Sequence, residues 1–174
     1  MEKAERFKET YGFQKAYGSY EKLLADPKVE AVYIPLPNTM HYEWTIRALK
    51  SGKHVLCEKP LAPTEAQAEE MFKAAEENHV YLMEAFAYQH SPYLTAIREE
   101  IKNGTIGDIR YMESAYITSD YNKNNIRMRR DTLGGCTYDL GVYNTSLILR
   151  TLAEEPTEIR AIASFSEEKI DKLT

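Results

Sequence analysis

The sequence predicts an α/β fold built on a parallel sheet, because short β-branched apolar runs alternate with amphipathic helices at β-α-β spacing. Three runs carry that signal: Val29–Ile34, His54–Cys57 and Val80–Met83. Each ends in a segment that breaks regularity, namely Pro35-Leu36-Pro37-Asn38, Glu58-Lys59-Pro60 and Glu84-Ala85-Phe86. Right-handed crossovers would make the sheet doubly wound and bring the three carboxyl ends to one edge, where such sheets bind ligands. A cleft is expected there.

The elements follow in order. Glu2–Tyr11 reads as a helix, with Ala4, Phe7 and Tyr11 at helical spacing among charges and Gly12 as a left-handed cap. Ser19 can cap a short helix over Tyr20–Leu24 that stops before Asp26-Pro27. After the first strand, a helix spans about His41 to Lys50, with Trp44, Ile46, Ala48 and Leu49 as its apolar contacts and Gly52 as its stop. After the second strand, Thr64 and Gln67 have capping-box spacing for a helix reaching about Asn78. The third strand closes the β-α-β-α-β unit.

Beyond residue 90 the texture changes. Ser91-Pro92 supplies the N-cap and first position of a helix that Asn103-Gly104 ends. The Tyr, Ile and Thr content of Ile109–Thr118 favours extended structure after Gly107. A polar, basic stretch from Asp120 to Leu133 leads to the tight Gly134-Gly135, then to helical periodicity from Asp139 to about Leu152. Glu158–Phe165 is the last candidate strand.

Composition excludes several classes. An apolar fraction of 43% and a charged fraction of 28% supply a core and argue against disorder. No apolar run approaches the length of a membrane span, and the charged opening is not a signal peptide, so the expected compartment is cytoplasmic with no membrane partner. The formal charge of −5 and a single basic run, Arg127–Arg130, leave nucleic-acid binding the third-ranked reading, and none is expected. Cys57 and Cys136 are too far apart for a CxxC pattern, and His41, His54, His79 and His90 have no ligand spacing, so no metal is expected.

Candidate chemistry sits at the predicted edge. Lys59 leaves a strand directly before Pro60, although a lysine in that place is ordinarily a solvated charge paired weakly with its neighbour Glu58. Asp139 and Tyr143 are one helical turn apart and share a face, although the first could be a helix cap and the second one packing ring among 13 tyrosines. Together they suit carbonyl reduction or alcohol oxidation, which needs a proton donor or acceptor at the substrate oxygen. A tyrosine's ordinary pKa of about 10 is high for a base, and an ammonium such as that of Lys59 would lower it.

Several runs carry a resemblance to a known family. They are Val32-Tyr33-Ile34-Pro35-Leu36-Pro37-Asn38 with His41, Gly52-Lys53-His54-Val55-Leu56-Cys57-Glu58-Lys59-Pro60, Met83-Glu84-Ala85-Phe86, Gly104-Thr105-Ile106-Gly107, and Gly134-Gly135-Cys136-Thr137-Tyr138-Asp139-Leu140-Gly141-Val142-Tyr143. With them the chain resembles the Gfo/Idh/MocA oxidoreductases over nearly its whole length. Several members place a histidine where Tyr143 stands. The tyrosine form is similar to the branch of glucose-fructose oxidoreductase, dimeric dihydrodiol dehydrogenase and related xylose dehydrogenases.

The resemblance implies a Rossmann-like dinucleotide-binding part, residues 1–88, followed by the start of an α+β substrate and oligomerisation part with a largely antiparallel sheet, residues 89–174. It implies NAD or NADP as cofactor, with Pro35, Leu36, Asn38, His41, Glu58 and Lys59 along its nicotinamide-ribose half. Lys59 and Tyr143 match the catalytic pair, with Asp139 beside them, and Arg127 and Asp139 lie nearer the substrate, a sugar or dihydrodiol. No GxGxxG occurs, so the sequence reads as a fragment that starts after the family's first strand and glycine turn and ends before its later strands. A partial sheet has an unpaired edge, which predicts self-association into a homo-oligomer. The leading reading is an NAD(P)-dependent oxidoreductase, inactive or weak as this piece. The alternative is a non-catalytic ligand-binding module that keeps the cleft.

Overall fold

A computed structural model describes residues 1–118, 122 and 124–173. Helix α1 (Glu2–Tyr11) ends at Gly12, whose φ of 73° is the left-handed cap expected there. Helix α2 (Tyr20–Leu24) starts where the Ser19 hydroxyl accepts the Lys22 N–H. Three strands follow, β1 (Ala31–Ile34), β2 (His54–Cys57) and β3 (Leu82–Glu84), separated by helices α3 (Asn38–Lys50) and α4 (Glu65–Glu77). All three strands pair in parallel in the order β1-β2-β3, with Val32 opposite Val55 and Val55 opposite Leu82.

The differences from expectation have local causes. Strands β1 and β3 begin two residues later than the apolar runs suggest, since ladder pairing starts only where a neighbour's backbone is in register. Helix α3 begins at Asn38, three residues ahead of His41, because Pro37 can hold the extended entry conformation but cannot continue the helix backward. Thr64 accepts the Gln67 N–H as expected, yet the Gln67 Oε1 is buried without a partner, so the reciprocal half of the capping box is not made.

On one face of the sheet α3 packs against β1 and β2, α4 against β3, and the two helices on each other, and the core forms where they meet. Leu49, Met71 and Cys57 are fully enclosed there with Ala48, Ala74, Ala75, Ile34 and Val55. Full burial of a side chain such as Leu49 contributes about 1.5–3 kcal/mol. Lys53 is buried too, and its ammonium donates to the Asp26 carbonyl at 2.9 Å and pins the α3-β2 turn to the loop ahead of β1.

After β3 the chain enters helix α5 (Pro92–Lys102), capped by Ser91. The strand expected within Ile109–Thr118 is not formed, and residues 109–118 have no regular secondary structure. Of the polar stretch expected from Asp120 to Leu133, residues 120, 121 and 123 lie outside the described residues. The helix expected from Asp139 is a π-helical turn, Thr137–Gly141, continuing into α6 (Val142–Leu152). The strand expected over Glu158–Phe165 shrinks to β4 (Ser164–Phe165), paired antiparallel with β5 (Asp171–Leu173).

Candidate active site

Strand ends set the first wall. β1 delivers Pro35 and Leu36, the first residue of α3 is Asn38, and β2 delivers Glu58 and Lys59. The opposite wall comes from the turn before α6 and from the short helical segment carrying Arg127. Between them lies a cavity of about 440 Å³, lined by Pro35, Leu36, Asn38, His41, Glu58, Lys59, and by Arg127, Asp139 and Tyr143. All nine residues singled out from the sequence therefore face one space. The third strand end does not join them: Glu84 and Phe86 line a separate hollow beside α6, and the Glu84 carboxylate turns to accept the Leu61 N–H at 2.8 Å. Burial raises the Glu84 carboxyl above its ordinary range despite that hydrogen bond.

Lys59 is not a solvated charge. Its side chain is 11% exposed, and its Nζ lies 3.0 Å from Asp139 Oδ1 and within hydrogen-bond reach of the Asp139 carbonyl. The other carboxylate oxygen, Asp139 Oδ2, accepts from Arg127 Nε at 2.8 Å. Asp139 thus bridges two cations, a geometry in which each opposite charge offsets the cost of the partial burial of the others. Glu58 takes no part, because its Oε1 accepts the Tyr33 hydroxyl at 2.6 Å. That bond, more than burial, pushes the Tyr33 phenol up to about 12.

Lys59 Nζ stands 4.9 Å from the centre of the Tyr143 ring. The ring is held edge-to-face by Phe86 at 5.5 Å and by Tyr88 at 6.1 Å, while Tyr116 lies 5.8 Å away on its cavity side. Tyr88 is itself tied to α6 by a 2.6 Å hydrogen bond to Ser146. Tyr143 is therefore both a packing ring and a wall of the cavity. Burial raises its phenol, helped by the negative charges of Glu58 and Asp139 and opposed by Arg127. This direction is opposite to the lowering expected from Lys59, whose ammonium sits over the ring face and is matched by Asp139.

Two of the nine residues are committed to the scaffold. His41 is fully enclosed, with its ring nitrogens 2.7 Å from the Leu36 and Pro60 carbonyls, so it ties the β1 exit to the loop carrying Lys59. Asn38 donates to the Leu133 carbonyl at 2.8 Å and joins the two walls. Tyr33 and Tyr116 also line the cavity and were not expected from the sequence. Tyr33 carried a weak signal, as an aromatic one residue short of a strand end; Tyr116 carried none, lying in a run without clean alternation.

Gly134-Gly135 is required by close approach. The Gly134 and Gly135 N–H groups donate at 2.8 Å to the Arg129 and Arg127 carbonyls, and a side chain at Gly134 would collide with the Arg127 backbone. Gly135 has a φ of 121° and would, with a side chain, strike the Asp171 carboxylate. The turn is thus clamped on both sides immediately before Asp139 and Tyr143.

Known proteins are similar to this chain in sequence and in fold. The family described as "Oxidoreductase family, NAD-binding Rossmann fold" matches residues 1–86, and the "GFO/IDH/MocA C-terminal domain" matches residues 94–172. The chain is 40% identical over 142 residues to a dTDP-3,4-didehydro-2,6-dideoxy-alpha-D-glucose 3-reductase of Actinomadura kijaniata, covering 82% of this chain and 42% of that protein. It is 32% identical over 173 residues to the trans-1,2-dihydrobenzene-1,2-diol dehydrogenase of Xenopus laevis, covering 99% of this chain and 52% of that protein. Among solved structures, the 3-ketoreductase of Actinomadura kijaniata in complex with NADP and TDP-benzene superposes with a TM-score of 0.82 at 38% identity, over 87% of this chain and 46% of that one. The chain spans about half the length of the curated relatives it matches. Matched over residues 1–86 and 94–172 by the two domain models of one family, the chain belongs to the Gfo/Idh/MocA oxidoreductases.

Proposed function

We propose that this chain carries the nicotinamide and proton-transfer half of an NAD(P)-dependent oxidoreductase that acts on a sugar or dihydrodiol, interconverting a hydroxyl and a carbonyl. One observation carries the reading: Lys59, Asp139 and Tyr143, far apart in sequence, meet in a single cavity with Lys59 Nζ 3.0 Å from Asp139 and 4.9 Å from the Tyr143 ring. Its volume lies within the roughly 300–1,000 Å³ usual for small-molecule sites. The relatives named as a sugar 3-reductase and a dihydrodiol dehydrogenase support the substrate class.

The residues present suit the nicotinamide-ribose half of NAD(P). Pro35 and Leu36 offer an apolar wall for the ring, and the Glu58 and Lys59 segment offers polar partners to a ribose. When bound, the cofactor supplies a hydride acceptor or donor. The chain's own groups handle the proton and the positioning. Tyr143 holds the exchangeable proton on its hydroxyl, which a phenol with an ordinary pKa of about 10 keeps at neutral pH, a donating form that suits carbonyl reduction. Arg127, whose charge favours the ionised phenol, offsets negative charge developing on the phenol oxygen during transfer, while Lys59 holds Asp139 beside the ring. Asp139 fixes Lys59 and Arg127, leaving Arg127 at the substrate end of the cavity.

Residues 1–88 form the dinucleotide part in this reading and residues 89–174 the substrate and oligomerisation part, in a cytoplasmic homo-oligomer. Titration of the chain with NADP and NAD, followed by calorimetry, tests the cofactor assignment. Saturable nucleotide binding that is lost in Lys59→Glu supports it. Sugar binding with no nucleotide dependence would instead favour a ligand-binding module.

A further inference from the structure

The catalytic assignment leaves one feature unexplained: a carboxylate from the last strand reaches the turn that begins the helix bearing Asp139 and Tyr143. Asp171 Oδ2 accepts the Thr137 N–H at 2.7 Å and the Cys136 thiol at 3.2 Å. Thr137 is the first residue of the π-helical turn that continues as α6. Helix starts carry backbone N–H groups with no partner inside the helix and a partial positive charge, so a carboxylate there both satisfies a donor and is favoured by the dipole. Cys136 makes no side-chain cap bond, and the acceptor comes from far along the chain.

The carboxylate is itself well anchored. Ile170, its neighbour, is 3% exposed, and Asp171 pairs with Phe165 across the β4-β5 hairpin. On the opposite side of the turn, the Arg127 carbonyl accepts the Gly135 N–H, and the Arg127 side chain reaches Asp139. The turn is therefore gripped between Arg127 and Asp171, and the absence of a side chain at Gly135 is what lets the Asp171 carboxylate approach. Burial pushes the Asp171 carboxyl up, but the hydrogen bonds from Thr137 and Cys136 outweigh it and hold it below the ordinary range.

We propose that Asp171 is a positioning residue, holding the Gly135–Thr137 turn so that Asp139 meets Lys59 and Tyr143 faces the cavity. The hairpin β4-β5 is thereby a part of the site although none of its residues lines the cavity. The catalytic consequence rests on the function proposed above; the structural part does not.

Nuclear magnetic resonance of the isotope-labelled chain tests the structural part without any turnover. In the parent, the Thr137 amide proton should move upfield as pH falls through the Asp171 titration. Asp171→Asn should abolish that movement, and Asp171→Ala should shift the amide signals of residues 135–143 while leaving those of Val55 and Leu56 in place. A Thr137 amide that does not respond to acid, or signals at 135–143 unchanged in Asp171→Ala, would overturn the proposal. If Asp171→Ala fails to fold, the parent titration alone decides. In an assay of sugar or diol turnover, Asp171→Ala should lower kcat by about 10- to 100-fold with little change in the cofactor's KM, because small misplacements of reacting groups cost on that order. Asp171→Asn, which keeps an oxygen acceptor, should recover part of it. Resonance changes without any parental activity would count against the function and leave the positioning role standing.

Discussion

Tyr143 sits at the junction of packing and chemistry, and a substitution can separate the two. Tyr143→Phe keeps the edge-to-face contacts with Phe86 and Tyr88 but removes the hydroxyl, so turnover should fall by about 10²–10⁴-fold while cofactor affinity stays near the parental value. Retained turnover would make it a packing ring alone. The charges around it predict a second result. Glu58 is the strongest charged contributor to the raised phenol, so Glu58→Gln should lower the Tyr143 titration midpoint, read from the tyrosine ring carbon signal over about pH 8 to 12. Lys59→Met should move it the other way by leaving Asp139 matched by Arg127 alone. A third titration concerns stability. Tyr33, ordinarily at 10.0, is pushed up to about 12. The folded chain holds that proton more tightly than the unfolded one, so the Tyr33 contribution is intact below pH 10 and lost as pH rises toward 12. Urea midpoints across that window should decline less steeply in Tyr33→Phe than in the parent.

The helices that position the site depend on caps and core at identifiable points. Thr64 caps α4 through the Gln67 N–H, and Thr64→Ala should cost about 1 kcal/mol in urea unfolding. Met71 on α4 is fully enclosed in the core shared with α3 and β2, so Met71→Ala should cost about 2–5 kcal/mol, the transfer loss plus the cavity left behind. Equal, small losses from both would mean that the α3-α4 layer is not packed as described. The elements themselves divide by the kind of information they need. Helix α5 is legible because Ser91, Pro92 and Asn103-Gly104 act locally at its two ends. Ile109–Thr118 is not, because Tyr, Ile and Thr favour extension but a strand exists only with a paired neighbour.

Over the whole molecule, apolar surface remains uncovered. Ile117, Ile159 and Ile162 are 88%, 79% and 91% exposed, and Tyr33, in the outer strand β1, is half exposed. Surface of this kind, together with an unpaired strand edge, favours association. Sedimentation velocity should show concentration-dependent self-association, and paired Ile117→Glu and Ile162→Glu substitutions should weaken it. A parent that stays monomeric at all concentrations would contradict the oligomeric part of the proposal. No helix among the described residues is long and apolar enough to cross a membrane.

By itself the sequence determined the parallel β-α-β-α-β order, the strand ends at Pro35 and Glu58, and the shared face of Asp139 and Tyr143, because these rest on periodicity and on local stops. The pairing of Lys59 with Tyr143 was legible through family resemblance, since no spacing rule links positions so far apart. Only the tertiary structure decided the rest. It turned Glu84 away from the cavity toward Leu61, set Asp139 between Lys59 and Arg127, and brought Asp171 under the Gly134-Gly135 turn. It also reversed the expected direction for the Tyr143 phenol, because burial and the charges of Glu58 and Asp139 outweigh an ammonium already matched by a carboxylate. Each of these depends on distances between segments remote in sequence, and on how much water is excluded between them, which no local pattern encodes.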